Sequence, residues 1–147
     1  MQLQNEKYDI AIIEDSPNDA ELIVRTLKKN KITEKLIVLE DGEQALNYFL
    51  CQGEFQKRDI SVFPKVIFLD IKLPKVTGLD VLKQLKSNDQ TRKIPVVMVT
   101  SSRQDPDVAS AYNLGANSYV VKPVDFKRFK ETINQLCVYW LNTNESL

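Results

Sequence analysis

The sequence contains no histidine in 147 residues, and that absence excludes the most. Imidazole general-base catalysis, most zinc sites and any role as a histidine phosphodonor go with it. Cysteine is almost as scarce: Cys51 and Cys137 lie far apart with no CxxC spacing, which argues against a redox pair or thiolate metal site and for two half-buried free thiols. No apolar run approaches the length of a membrane span, and the opening MQLQNEKYD lacks the apolar core of a secretory signal. A cytoplasmic chain with no membrane partner is expected. Twenty basic and twenty acidic residues leave a formal net charge of zero, so no polybasic footprint invites nucleic acid. Partner choice then falls to a local patch.

What is present alternates. Short β-rich apolar runs stand at Tyr8–Ile13, Leu36–Leu39, Val66–Leu69, Val96–Val99 and Ser118–Val121. Amphipathic segments follow each, with legible starts: Ser16-Pro17-Asn18-Asp19 offers an N-cap, a proline in the first turn and an acid, and Asp105-Pro106-Asp107 repeats the pattern. Asp41, Thr77 and Asp125 are the other cap candidates. After Asp125, a stripe of Phe126, Phe129, Ile133, Leu136, Cys137 and Trp140 recurs at helical spacing on a long final helix. Five strands alternating with five helices predict a doubly wound α/β domain, a parallel sheet covered on both faces. The length suits a single domain.

In such folds reacting groups gather at the carboxyl ends of the strands. The first strand ends on Glu14 and Asp15, the third on Asp70, the fourth on Thr100 and the fifth on Lys122-Pro123. Each alone has an ordinary reading: a helix cap, a strand-end residue, a solvated charge. Together they put three acids, a hydroxyl and a lysine on one edge. Clustered carboxylates repel one another unless a cation sits among them. Hard oxygen ligands without His or Cys point to Mg²⁺, which keeps several waters for a phosphate-bearing partner.

Four pieces of this constellation carry a resemblance to the receiver domains of two-component response regulators. They are IIEDS after the first strand, LDIKLPKVTG closing the third, VTSS closing the fourth and GANSYVVKP at the fifth, in order along the chain. The resemblance spans about residues 8–141 of the single domain 1–147 and implies a flavodoxin-like (βα)5 fold with strand order 2-1-3-4-5. It implies that Asp70 is the phosphoacceptor, attacking the phosphohistidine of a sensor histidine kinase to give an acyl phosphate. Asp15, Asp70 and the backbone carbonyl of Lys72 would ligate Mg²⁺, with Glu14 acting through a metal-bound water. Lys122 would supply positive charge to the phosphoryl oxygens, and Thr100 with the small Ser101 would sense the group. Tyr119, at the family's aromatic switch position, would rotate and reshape the face made by the fourth helix, fifth strand and fifth helix. The family also implies a cis Lys122–Pro123 bond aiming the ammonium, although trans is the commoner prior for any X–Pro bond. Such a protein accepts phosphate and catalyses its own phosphotransfer and dephosphorylation without being a turnover enzyme.

Some features depart from the family. Val76 and Thr77 stand where many members carry Met and Asp, in a loop expected to shape the start of a helix and not the phosphate chemistry. The stretch CQGEFQKRDISVFP, residues 51–64, is longer than the usual link into the third strand. With the VYWLN end, it resembles the single-domain regulators that partner phytochrome-type sensor kinases; a tolerated surface insertion is the plainer alternative. Only NTNESL follows Leu141, so no DNA-binding or catalytic output domain is expected and the signal must leave through a downstream protein. The helical stripe turns only Trp140 inward from Tyr139, Trp140 and Leu141; the exposed aromatics form either a contact surface, such as a homodimer's, or a cap on their own core.

Rival classes meet the same residues. A haloacid dehalogenase-type phosphotransferase needs a second acid two residues past its nucleophile, where Lys72 stands. A flavodoxin-type FMN binder needs a Ser/Thr/Gly-rich loop after the first strand, where EDSPND would repel a phosphate. A pseudo-receiver, an interaction module working without phosphorylation, typically loses the acids, the Thr or the Lys, all of which are kept.

Overall fold

Isoleucine, valine and leucine fill the strands, and their alternation divides the protein into two apolar layers. The computed structural model describes residues 7–29, 35–123 and 125–146. Five strands, β1 (Ile10–Ile13), β2 (Leu36–Leu39), β3 (Val66–Leu69), β4 (Val96–Thr100) and β5 (Ser118–Val121), alternate with five helices. These are α1 (Pro17–Lys29), α2 (Gly42–Phe49), α3 (Gly78–Ser87), α4 (Asp105–Asn113) and α5 (Phe126–Cys137). All strand pairs are parallel, in the order β2-β1-β3-β4-β5.

The central strands β1, β3 and β4 are buried at every residue, as continuous apolar runs covered on both sides must be. Ala11, Ile13, Ile67, Leu69 and Met98 face a layer shared with α2 and α3 through Leu46, Phe49, Val81, Leu82 and Leu85. Ile10, Ile12, Val66, Phe68, Val97 and Val99 face the other layer, closed by Ile23 and Leu27 of α1 and by Phe129, Ile133 and Cys137 of α5. The period of two along a strand sorts the side chains between layers. Fully burying one such side chain stabilises by about 1.5–3 kcal/mol, so the two layers carry the fold.

Capping follows the sequence at most helix starts. The Asp41, Thr77 and Asp125 side chains accept from the Gln44, Asp80 and Lys127 amides at 2.7, 3.2 and 2.8 Å, and Ser16 Oγ accepts from Asp19 N–H at 3.3 Å. The expected Asp105 cap differs: Asp105 is already the first helical residue, and Gln104 precedes it without a side-chain cap bond.

The chain's two ends and the β5 exit carry the other corrections. β1 begins at Ile10, two residues after the expected Tyr8. Phe126 is 56% exposed, its ring under the Lys130 ammonium at 4.8 Å, and so leaves the predicted stripe. After Cys137 the helix loosens into a π-helical turn, Val138–Thr143. Wider i→i+5 winding shifts the register that a 3.6-residue period extrapolates, so Leu141 is buried while Trp140 is only partly so. Tyr139 stays 48% exposed, with its ring edge-on to Trp140 at 5.0 Å. No peptide bond among the described residues is cis, so Lys122–Pro123 is trans. Trans is the intrinsically favoured isomer, and the Lys122 side chain reaches the site from it.

The 51–64 segment is anchored to the core. It carries a 3₁₀ turn, Gly53–Phe55, that buries Phe55 edge-on to the Tyr48 ring at 5.2 Å. Arg58 is 7% exposed, lies 3.9 Å from the Tyr48 ring centre and donates to the Tyr48 carbonyl at 2.5 Å and to the Val62 carbonyl. The segment is therefore clamped through a buried guanidinium.

Candidate functional site

The strand order brings the ends of β1, β3, β4 and β5 to one rim. Backbone bonds fix them there. Asp70 N–H donates to Ile13 O at 3.1 Å, which ties the β3 exit to β1, and Lys122 N–H donates to Thr100 O at 2.8 Å, which ties the β5 exit to β4.

The loop after β3 needs its glycine. A Cβ on Gly78 would lie 2.0 Å from the Asp70 carbonyl oxygen, so only glycine lets α3 start this close to the aspartate. Gly78 N–H closes the turn on Ile71 O at 2.8 Å. Within the loop, Lys75 takes φ of 69°, a left-handed conformation costing a non-glycine residue about 1 kcal/mol. Its ammonium lies 3.6 Å from Asp41 and 3.7 Å from Glu43, which holds the loop against α2.

Glu14, Asp15 and Asp70 each offer one carboxylate oxygen within 4.8 Å of the others. Glu14 and Asp70 are buried, and Asp15 is exposed. The Lys72 amide donates to Asp70 Oδ1 at 3.2 Å, which sets that peptide against the carboxylate. Lys122 Nζ reaches Glu14 Oε1 at 2.5 Å, Asp19 Oδ2 at 2.9 Å and Asp70 Oδ2 at 3.1 Å. One ammonium thus serves three carboxylates, with Asp15 beside them. The group is net negative and made of hard oxygens, a donor set that fits a divalent cation such as Mg²⁺.

The proton equilibria carry the same imbalance. Burial raises the Glu14 carboxyl to about 7; the Lys122 hydrogen bond opposes this and the Asp70 charge adds to it. The close contact with Lys122 argues for an ionised Glu14, but one shared ammonium cannot compensate every acid, and the upward direction holds. For Lys122 itself, burial works to lower the value, yet the bonds to Glu14 and Asp19 and the charges of Glu14 and Asp70 hold the ammonium above its ordinary range.

The hydroxyl side of the rim carries Thr100, Ser101, Ser102 and Tyr119. Thr100 is fully buried and its Oγ accepts from Ser102 N–H at 3.4 Å. Ser101 is exposed, whereas Ser102 is buried and donates its hydroxyl to Asp107 Oδ2. Tyr119 is half-buried and donates its hydroxyl to the Ser102 carbonyl at 3.0 Å, which couples β5 to the loop after Thr100. Burial raises the Tyr119 phenol and the Ser102 bond opposes it.

Glu14, Asp15, Asp70 and Lys122 are therefore brought together as the strand ends suggested. The residues missed were Asp19, read only as a first-turn acid, and Ser102 with Asp107. Asp19 lies in the first turn of the helix and Ser102 lies past the end of β4, so neither periodicity nor strand alternation announces them.

Known proteins share this layout. The response regulator receiver domain family matches residues 10–134, and the chain belongs to that family. It is 37% identical over 140 residues to the probable methanogenesis regulatory protein FilR2 of Methanothrix harundinacea (strain 6Ac), covering 95% of this chain and 87% of FilR2. It is 36% identical over 134 residues to response regulator Rcp1 of Synechocystis sp., covering 91% and 89%. The crystal structure of Mn(2+)-bound Rcp1 superposes with a TM-score of 0.88 at 34% identity, over 95% of this chain and 99% of that one. The bacteriophytochrome response regulator RtBRR gives a TM-score of 0.74 at 46% identity, over 97% and 85%. The protein is a phosphoacceptor response regulator of two-component signalling, a class whose receivers work with histidine kinases. Among the described residues no helix is long and apolar enough to cross a membrane.

Proposed function

We propose that Asp70 is the phosphoacceptor. The observation carrying this is the Lys122 ammonium 3.1 Å from Asp70 Oδ2, at a rim where Glu14 and Asp15 gather beside the same carboxylate. A carboxylate oxygen of Asp70 attacks the phosphorus of a kinase phosphohistidine; the P–N bond breaks, and the imidazole leaves with its electron pair and takes up a proton. Asp15, Asp70 and the Lys72 carbonyl would hold Mg²⁺, with Glu14 beside them acting through a water. When bound, the cation neutralises charge on the phosphoryl oxygens and aligns them for in-line transfer. Lys122 adds a second positive charge from the β5 side, and Thr100 Oγ with the Ser101 segment hydrogen-bonds the new group.

Thr100 engagement releases its bond to the Ser102 amide. Tyr119, bonded to the Ser102 carbonyl, follows the loop and alters the α4–β5–α5 face. The reading continues beyond the site: a cytoplasmic receiver, phosphorylated by a sensor kinase of the phytochrome type, signals to a downstream protein, and Tyr139 lies in a homodimer contact. It undergoes its own phosphotransfer and dephosphorylation and is no turnover enzyme.

Incubation with an autophosphorylated histidine kinase, resolved on a phosphate-affinity gel, tests the assignment. Unaltered protein and Lys122→Ala are expected to shift, Asp70→Asn is not, and only the unaltered protein is expected to change its Tyr119 ring resonances. A normal shift by Asp70→Asn overturns the assignment.

A further inference from the structure

Lys122 has three N–H bonds and spends each on a different carboxylate: Glu14 at 2.5 Å, Asp19 at 2.9 Å and Asp70 at 3.1 Å. Two of these acceptors, Glu14 and Asp70, are among the three acids that converge within 4.8 Å as a candidate cation group. Asp19 is outside that group. It stands in the first turn of α1, where Ser16 Oγ accepts its amide and fixes its position, and its side chain is 38% exposed while that of Lys122 is 10% exposed.

The consequence is a competition. A divalent cation drawing on Glu14, Asp15 and Asp70 competes with the ammonium for the negative charge of Glu14 and Asp70, since both positive groups use those two carboxylates. An ammonium so little exposed cannot be left without a partner at low cost. Asp19 is the one acceptor of the three that the cation does not claim. We propose that Asp19 is a positioning residue, which holds the Lys122 ammonium on the α1 side of the site while a divalent cation draws on the Glu14 and Asp70 carboxylates, and thereby tightens cation binding. The inference rests on the reading of Glu14, Asp15 and Asp70 as the cation group. It assigns Asp19 no contact with the cation or with the phosphoryl group.

Loss of Asp19 has two separable effects. If the residue acts through Lys122, removing it sends the ammonium fully onto Glu14 and Asp70, and the cation must displace a stronger competitor. If Asp19 acts only as one more negative charge nearby, its removal weakens cation binding whether or not Lys122 is present. A double-mutant cycle distinguishes them.

The experiment is calorimetric titration of the full chain with Mg²⁺, for the unaltered protein, Asp19→Asn, Asp19→Glu, Lys122→Met and the Asp19→Asn/Lys122→Met pair. Circular dichroism checks that each variant is folded. Asp19→Asn is expected to weaken Mg²⁺ binding about three- to tenfold, the range of a lost ion pair in a partly buried setting. Asp19→Glu is expected to restore most of it. In the Lys122→Met background the same Asp19→Asn change is expected to shift binding by less than about twofold. Equal losses in both backgrounds, or no loss in either, overturn the positioning role while leaving the cation group intact. Absence of Mg²⁺ binding by the unaltered protein overturns the cation group and this inference together.

Discussion

Glu14 shows most directly what crowding does to a single residue. It is 4% exposed, and burial pushes its carboxyl up to about 7, because one shared ammonium only partly offsets the lost hydration. An unfolded chain returns this group to its ordinary value near 4.5, so between pH 4.5 and 7 the folded protein holds a proton that the unfolded one has released. The contribution of Glu14 to stability therefore falls as pH rises through that window. Urea unfolding in the presence of a chelator is expected to lose about 1–3 kcal/mol across it, and Glu14→Gln is expected to flatten the dependence. A flat profile for the unaltered protein would show that Glu14 ionises freely. Residue roles were partly legible in the sequence. Glu14, Asp15, Asp70 and Lys122 each end or follow a strand, and topology alone gathers them; Asp19 is separated from Lys122 by 103 positions, and no local spacing announces that pair.

Periodicity resolves the elements better than their ends. β2, β3 and β5 coincide residue for residue with the apolar runs, because a parallel strand buried between helices contains little else. α5 departs where the π turn begins, since a 3.6-residue pattern cannot register a local change of winding. The 51–64 segment was equally hidden: its hold on the core depends on a buried arginine, which composition reads as a solvated charge. Arg58 donates to the Tyr48 and Val62 carbonyls and to Cys51 Sγ at 3.4 Å, acceptors arranged for a planar fork. Lysine cannot match that fork or its stacking on Tyr48. Arg58→Lys is therefore expected to cost about 1–3 kcal/mol in chemical denaturation, with Arg58→Ala costing more. A change within about 0.5 kcal/mol for both would mean that the segment is held by Phe55 alone.

At the scale of the whole molecule, the β2-β1-β3-β4-β5 order gives the domain one chemically loaded rim. β1 and β3 are neighbours, so Glu14, Asp15 and Asp70 converge; β4 and β5 lie beyond β3, so Thr100 and Lys122 close the same rim from the other side. The two apolar layers hold these ends in register. The Thr100–Ser102–Tyr119 hydrogen bonds join β4, its following loop and β5. The proposed function has one central requirement, that Asp70 receive a phosphoryl group with the help of a divalent cation. Intact-protein mass spectrometry after incubation with a small acyl phosphate donor, with and without Mg²⁺, tests it most directly. A single phosphoryl adduct that requires Mg²⁺ and is lost in Asp70→Asn is the predicted result. An adduct that persists in Asp70→Asn, or that forms equally well under chelation, would contradict the account.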